Sequence, residues 1–276
     1  MPRIVFLVVL SAALLHAAWN AIVKSATDKF LGTIVVTGSA ALISAAVLPL
    51  LAVPARASWP YAVVSALFQI VYFVLVSRAY QVADMSQTYP LMRGTAPLLV
   101  AIWTVFQMGE SLTPIAWLGV IAVCLGIFGI AAGAGIDRRG VYLALLNAVV
   151  IAGYTLIDGT GVRLSRAPAA YTLWVFFLTG LPLTVWTVVT EKLTFIRYAA
   201  RYWRFGVAGG VATTVSYGLA LWAMTLAPIA IIAALRETSI LFAVVIAGLV
   251  LKEPLGLRRI IAACIIAGGA VALRLA

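Results

Sequence analysis

Long apolar runs, interrupted at regular intervals by short polar stretches, dominate the pattern of this 276-residue chain. A run of about twenty apolar residues is long enough to cross a bilayer as a helix. The pattern predicts ten such helices, at residues 4–24, 31–53, 60–81, 86–107, 114–134, 139–159, 169–190, 203–226, 229–250 and 257–275. Alternating barrel strands would leave many more polar positions. We therefore expect an all-α membrane protein with ten transmembrane helices.

Composition and charge limit the kinds of partner and ligand that we expect for this chain. Hydrophobic residues make up 64% of the chain and charged residues 10%. In soluble domains about half of the residues are apolar and about a quarter are charged. The formal net charge of +11 would suit nucleic acid, but the basic residues lie mostly at predicted helix ends. Such positions meet lipid headgroups. We expect the lipid bilayer as a partner and no nucleic acid. His16 is the only histidine, so we predict no metal site and no cofactor.

The chain also repeats itself. Aligning Arg93 with Arg236, a shift of 143 positions, gives the shared pattern R-x-T-x14-E-x-L. Each half then holds five predicted helices, within residues 1–135 and 139–276. An odd number of helices inserts the second half upside down. Inverted repeats of this kind are typical of secondary transporters, which hold their substrate near the midplane between the halves.

These features resemble a known family. The doubled five-helix unit, the Glu-x-Leu that ends the fourth helix of each half, the glycine-rich fifth helices and the string LHAAWNAIVK at residues 15–24 are similar to the EamA-type branch of the drug/metabolite transporter superfamily. The resemblance covers essentially the whole chain. It implies the fold and transport of small solutes, because the family's members carry amino acids, other metabolites and drugs.

Orientation and assembly stay open at this stage. Loops after odd-numbered helices hold ten basic residues and the opposite side holds five, many of the ten within 191–204. The positive-inside rule would place both termini outside, whereas the resemblance implies both inside. Two halves complete a cavity within one chain, so a monomer suffices and a dimer is compatible. We expect a multi-pass protein of the cell membrane, of bacterial inner-membrane type.

Two arginines inside apolar runs, Arg93 and Arg236, are the principal site candidates. A charge in the bilayer core costs at least about 2.5–3.5 kcal/mol. In an inverted repeat the two would straddle the midplane, about 10 Å apart in depth. Either they line a cavity and attract an anionic group, or an internal carboxylate neutralises them, with Asp158 as a candidate. Glu237 follows Arg236 directly and points elsewhere on the helix; we also place it near the substrate.

A polar stripe on the first helix is a second candidate. His16, Asn20 and Lys24 are spaced i, i+4, i+8 and share one face, with Trp19 beside it. Polar residues on a spanning helix usually face the bundle interior. We predict that this stripe contacts substrate. His16 either couples a proton or hydrogen-bonds as a neutral ring. Lys24 either gates the cavity or reaches the interface.

Further polar groups lie on the third, sixth and eighth helices. Tyr154 and Asp158 share a face of the sixth helix. Asp158 either opposes Lys24 in a gate or ion-coupling role, or caps its helix near residue 159. Gln69, Tyr72 and Tyr217 are predicted to line the cavity, the alternative for the tyrosines being packing or lipid contact.

The glutamates that end the fourth helix of each half need a partner of their own. Glu110 and Glu253 lie near the negative end of the helix dipole. A compensating partner is therefore expected for each. The resemblance implies a structural or gating role at the membrane face for both glutamates.

Three function classes follow. The leading hypothesis is a secondary transporter of a small anionic or zwitterionic metabolite, such as an amino acid or organic acid, working by alternating access. A flippase for a lipid-linked sugar or lipid phosphate is the first alternative, because arginine also binds phosphate. An intramembrane enzyme is the second. The chain has no GxxxxGK[ST], GxSxG or HExxH motif, so we predict no catalytic residues and no direct use of ATP.

Overall fold

The fold comes from a computed structural model, which describes residues 1–82, 85–131, 138–249 and 256–276. Every regular element in these ranges is a helix, which confirms the all-α prediction. Ten are α-helices: α1 Arg3–Ser25, α2 Lys29–Val47, α3 Trp59–Val82, α4 Met85–Phe106, α5 Pro114–Ala131, α6 Arg138–Ser165, α7 Pro168–Met224, α8 Ile229–Arg236, α9 Ser239–Leu249 and α10 Leu257–Leu275. The predicted junction between the halves, at 135–139, lies mostly outside the described residues.

The predicted seventh and eighth helices are joined in α7. Its 57 residues contain two points of non-helical backbone, Lys192 with φ 45° and Tyr202 with φ −112°. A straight helix of this length would measure about 86 Å, far more than a bilayer. Instead, both arms pack on α2: Gly180 of the first arm meets Ala41, and Gly210 of the second meets Ala40. The chain therefore folds back near Lys192. The loop predicted at 191–204 is wrong, because most of that segment is helical.

Two other predicted boundaries need correction. The sixth helix does not end at residue 159 but continues to Ser165, so Asp158 lies inside the helix and does not cap it. The ninth predicted helix is divided between α8 and α9, with Glu237 and Thr238 as a turn between them. Both differences concern polar residues within or beside apolar runs, where hydropathy cannot locate a helix boundary.

Close backbone contact joins α5 to α10. A Cβ atom added to Gly119 would lie 2.9 Å from the carbonyl oxygen of Gly269, and one added to Gly269 would lie 2.9 Å from that of Gly119. Only glycine allows this approach at both positions. Small residues at helix contacts are the usual means of packing in membranes, where van der Waals contact replaces the hydrophobic effect.

Large apolar side chains remain exposed around the bundle. Leu7, Leu42 and Leu118 are 61%, 72% and 64% exposed, and by length and composition six of the described helices can cross a membrane. In contrast, many buried polar residues lie at the centre. They include Arg93, Asn147, Asp158, Arg236 and Glu237. The bundle is therefore apolar towards lipid and polar in part of its interior, as a multi-pass membrane protein with an internal site requires.

Candidate functional site

The interruption between α8 and α9 places two charged residues in the interior. The amide of Thr238 donates to Leu235 O at 3.0 Å, and that of Ile240 donates to Glu237 O at 3.0 Å. These i→i+3 bonds tighten the chain for one turn. Arg236 and Glu237 thus stand at a break in a membrane helix, and transporters place their binding sites at such discontinuous helices.

Glu237 neutralises the other arginine. Arg93, on α4 between Pro90 and Pro97, donates from Nε to Glu237 Oε2 at 2.8 Å. Its Nη2 lies 2.8 Å from Oε1, within ion-pair distance although the N–H direction is not that of a hydrogen bond. Both side chains are buried. The partner of Arg93 is therefore Glu237 and not Asp158, and the Glu237 carboxylate is occupied by this pair.

Arg236 has a different environment. Its guanidinium stacks over the ring of Tyr217, 4.8 Å from the ring centre. In the described part of the chain, no carboxylate lies within ion-pair distance of it. The residue is 8% exposed and faces a cavity. Arg236 is thus a buried cation whose partner among the described groups is an aromatic face.

Asp158 is bonded to the hydroxyl of the same tyrosine, Tyr217. The Tyr217 hydroxyl donates to Asp158 Oδ2, and the Tyr171 hydroxyl donates to Oδ1 at 2.9 Å. Gln69 Nε2 reaches Oδ2 at 3.5 Å, which provides the partner expected for a glutamine in an apolar span. Asp158 is fully buried. Tyr217 therefore connects the cavity arginine to a carboxylate held by three donors.

A central cavity unites most of the predicted site residues. Its empty volume is about 730 Å³, which includes the open mouth of the cavity. Both arginines face it, so they meet in one space. The predicted residues that line it are His16, Trp19, Gln69, Tyr72, Arg93, Tyr154, Tyr217 and Arg236.

Aromatic rings form much of the cavity wall. Edge-on contacts link Tyr72 to Tyr154 at 6.1 Å, Tyr154 to Tyr217 at 6.5 Å and Phe176 to Tyr217 at 6.0 Å between ring centres. Sequence reasoning missed Phe176 and the nearby Thr179, which also lines the cavity. A signal was present, since Thr172, Phe176 and Thr179 follow helical i, i+4, i+7 spacing on one face.

Comparison with known proteins identifies the family. The sequence model of the EamA-like transporter family matches residues 3–132 and 138–275. The chain belongs to the EamA-like transporter family. It is thus a multi-pass membrane transporter of the drug/metabolite transporter superfamily, as the resemblance implied. One solved crystal structure of a protein is similar over 100% of this chain and 98% of its own, with TM-score 0.76 and 18% identity, which shows the fold alone. No curated protein matches.

A second cavity of the transporter adjoins the first at His16. The predicted stripe on α1 lines it, since His16, Asn20 and Lys24 all face this space of about 640 Å³ together with Tyr89 and Ser239. His16 Nδ1 accepts from Trp19 Nε1 at 3.3 Å, and Asn20 Nδ2 donates to the His16 carbonyl at 2.7 Å. Asn20 and Lys24 line the second cavity, while Arg236 faces only the first.

Glu110 has the compensating partner that its position requires. Arg163, near the end of α6, donates from Nη1 to Glu110 Oε1 at 2.8 Å, and the first amide of α8 donates to Oε2 at 3.1 Å. Arg163 also donates to the carbonyls of Met224 and Ala227. This group joins the ends of α4, α6 and α7 to the start of α8 in the transporter. Glu253, predicted to be its counterpart, lies outside the described residues.

Proposed function

We propose that this EamA-like protein is a secondary transporter that moves a small anionic or zwitterionic organic solute by alternating access. The observation that carries the proposal is Arg236, a buried cation that faces an aromatic cavity and has no ion-pair partner in the described part of the chain. A carboxylate is a natural complement, since arginine offers a planar fork of donors.

The charge distribution supports a carboxylate at Arg236 in preference to Arg93. Glu237 already neutralises Arg93 through two oxygens, so a solute would have to displace an internal ion pair to use it. Arg236 needs no such displacement. Burial strengthens its attraction for an anion, because the low effective dielectric of the interior screens charges weakly. Arg93 then acts mainly by holding Glu237, although it lines the cavity together with Arg236.

The aromatic wall supports a zwitterion as well as a simple acid. Tyr72 and Tyr154 line the same cavity as Arg236. Ring faces attract ammonium groups within about 6 Å. A solute with a carboxylate on Arg236 and an amine or apolar group against these rings would be enclosed on both sides. Amino acids and small organic acids fit this chemistry.

Helix packing supports two inverted halves and hence alternating access. If the halves are equivalent, α1 corresponds to α6, and α3 corresponds to the second arm of α7. The contact between α3 and α6 then has a counterpart between α1 and that arm, where Ser216 donates to the carbonyl of Ala12 at 2.7 Å. Likewise α4–α6 corresponds to α1–α9, while α2–α7 and α5–α10 each pair equivalent helices. These helix pairs correspond when the proposed halves, residues 1–135 and 139–276, are exchanged, which supports an inverted repeat. Ten spans, a monomeric functional unit and a bacterial inner membrane complete the proposal.

Asp158 and Lys24 are the proposed coupling and gating residues. Asp158 reaches the cavity through Gln69 and Tyr217, which line it and also bond the carboxylate. Solute binding at Arg236 would pull on the ring of Tyr217 and so alter the bonding of Asp158. Lys24 faces the second cavity, where it would attract an anion before it reaches Arg236.

Uptake into proteoliposomes tests the proposal. A panel of amino acids, organic acids and neutral analogues is offered to the wild type, to Arg236→Gln and to Arg138→Gln, a control that removes an exposed arginine at the start of α6. We expect saturable uptake of one or more carboxylated solutes, lost in Arg236→Gln and kept in the control. Equal uptake by Arg236→Gln, or a preference for neutral analogues, would contradict the assignment.

A further inference from the structure

The helical segment between the two backbone breaks of α7 has three distinct faces. It runs from residue 193 to 201, about 14 Å in length, bounded by the non-helical residues Lys192 and Tyr202. One face packs on the protein: Phe195 is buried in a cluster with Leu31, Ile34, Val35 and Leu183. The Tyr198 hydroxyl also donates to the carbonyl of Asp28 at 3.2 Å. The segment is therefore fixed against the start of α2.

The second face is apolar and uncovered. Leu193 and Ile196 are 62% and 51% exposed, and their i, i+3 spacing puts them on one side. In a membrane protein such a face lies against lipid. The third face is basic. Arg197 and Arg201 are exposed and spaced i, i+4 on this face, and the exposed Arg204 follows directly after the break at Tyr202. An apolar face beside a basic face is typical of a helix in the interfacial plane of a membrane.

An apolar crevice runs beside this segment. It has an empty volume of about 430 Å³ and lies between α1, α2 and the second arm of α7. Its lining includes Ile22, Val35, Tyr198, Tyr202 and Phe205. The crevice and the basic face meet at one ring, because the guanidinium of Arg201 lies over Tyr202, 5.7 Å from the ring centre.

We propose that this crevice and the adjacent arginines form a binding site for an anionic phospholipid. The phosphate contacts Arg197, Arg201 and Arg204, and part of an acyl chain occupies the crevice. Charge complementarity selects the headgroup, since residues 191–204 hold four basic residues against one acidic residue, Glu191. Polybasic segments at the membrane surface attract anionic lipids in this way.

Lipid retention by the purified full-length protein tests the site. The protein is incorporated into nanodiscs of phosphatidylcholine and phosphatidylglycerol, and retained lipids are counted by native mass spectrometry. The test variant is R197Q/R201Q/R204Q. The matched control is R56Q/R138Q/R139Q, which removes the same charge from exposed arginines elsewhere. Thermal unfolding is compared first, and single substitutions replace the triple variant if it is unstable.

We expect the wild type to prefer phosphatidylglycerol, with the preference falling about fivefold for each arginine removed and unchanged in the control. An equal fall in both variants would reduce the effect to general charge, and no fall in either would also overturn the site. Glycerol 1-phosphate, which lacks acyl chains, should displace the retained lipid poorly. Displacement by it as effective as by phosphatidylglycerol would assign the arginines to a soluble anion.

Discussion

Removing one member of the buried Arg93–Glu237 pair should destabilise the protein far more than removing both. Two charges 2.8 Å apart attract each other by about 6 kcal/mol at an effective dielectric constant of about 20. Glu237→Gln would leave the guanidinium of Arg93 buried without a counter-charge. Breaking one partner of such a pair usually costs about 3–5 kcal/mol. We expect this range for Glu237→Gln and for Arg93→Gln.

The double variant Arg93→Gln/Glu237→Gln removes both charges and leaves two amides that can bond to each other. Its cost should be well below the sum of the single costs, because neither charge is stranded. Arg236→Gln is the contrasting control. It strands no carboxylate and forfeits a ring contact worth about 0.5–2 kcal/mol. The free energy of unfolding is measured in mixed micelles by titration with a denaturing detergent.

The coupling energy between residues 93 and 237 tests whether the two side chains depend on each other. We expect the double-variant cycle to give several kcal/mol of coupling between residues 93 and 237, and almost none between 93 and 138, an exposed site. If the single costs simply added, the two side chains would not depend on each other. The description of Arg93 as an internally neutralised charge would then be wrong, and both arginines would be open to solute.

Three further changes follow from the described contacts. Tyr217→Phe keeps the ring over which Arg236 stacks but removes the hydroxyl that donates to Asp158. Solute affinity should therefore persist, while uptake should lose its response to an imposed proton gradient. An unaltered response would contradict coupling through Asp158. Glu110→Ala removes the acceptor of the first α8 amide, so hydrogen exchange there should quicken while stability falls by about 1 kcal/mol or less. Unchanged exchange would show that Glu110 does not hold the start of α8. Gly119→Ala should lower the free energy of unfolding by about 1–3 kcal/mol, because the added Cβ clashes with α10. Gly129→Ala is the control and should not destabilise the protein, since its added Cβ would have its nearest contact at 3.7 Å. Equal effects of the two variants would refute the close contact.

Sequence reasoning located the arginines and the α1 stripe because each breaks an apolar run in a way that hydropathy and helical spacing reveal. It could not assign partners. Glu237 lies next to Arg236, yet it pairs with Arg93 from another helix. That choice depends on how α4 packs against the turn between α8 and α9. A tight turn made without proline or glycine leaves no local signal in the sequence.

The misplaced boundaries have a common origin. Arg197, Arg201 and Arg204 lower the local hydropathy, so residues 191–204 are predicted as a loop. Yet their spacing is helical and the segment remains largely a helix. The same effect put the predicted end of the sixth helix too early, at residue 159, directly after Asp158. In both cases a hydropathy scale measures preference for lipid, whereas the helix continues because protein contacts satisfy its polar side chains, as the tyrosine hydroxyls satisfy Asp158.

The most direct test of the account is equilibrium binding of a transported carboxylated solute and of its neutral amide analogue to the wild type and to Arg236→Gln. A charge-assisted bond is worth about 1.5–3 kcal/mol, or roughly ten- to 150-fold in affinity. We predict a loss of that size for the acid in Arg236→Gln and almost none for the amide. Equal losses for acid and amide, or no loss for the acid, would contradict the role of Arg236 as the anchor of the solute's acidic group.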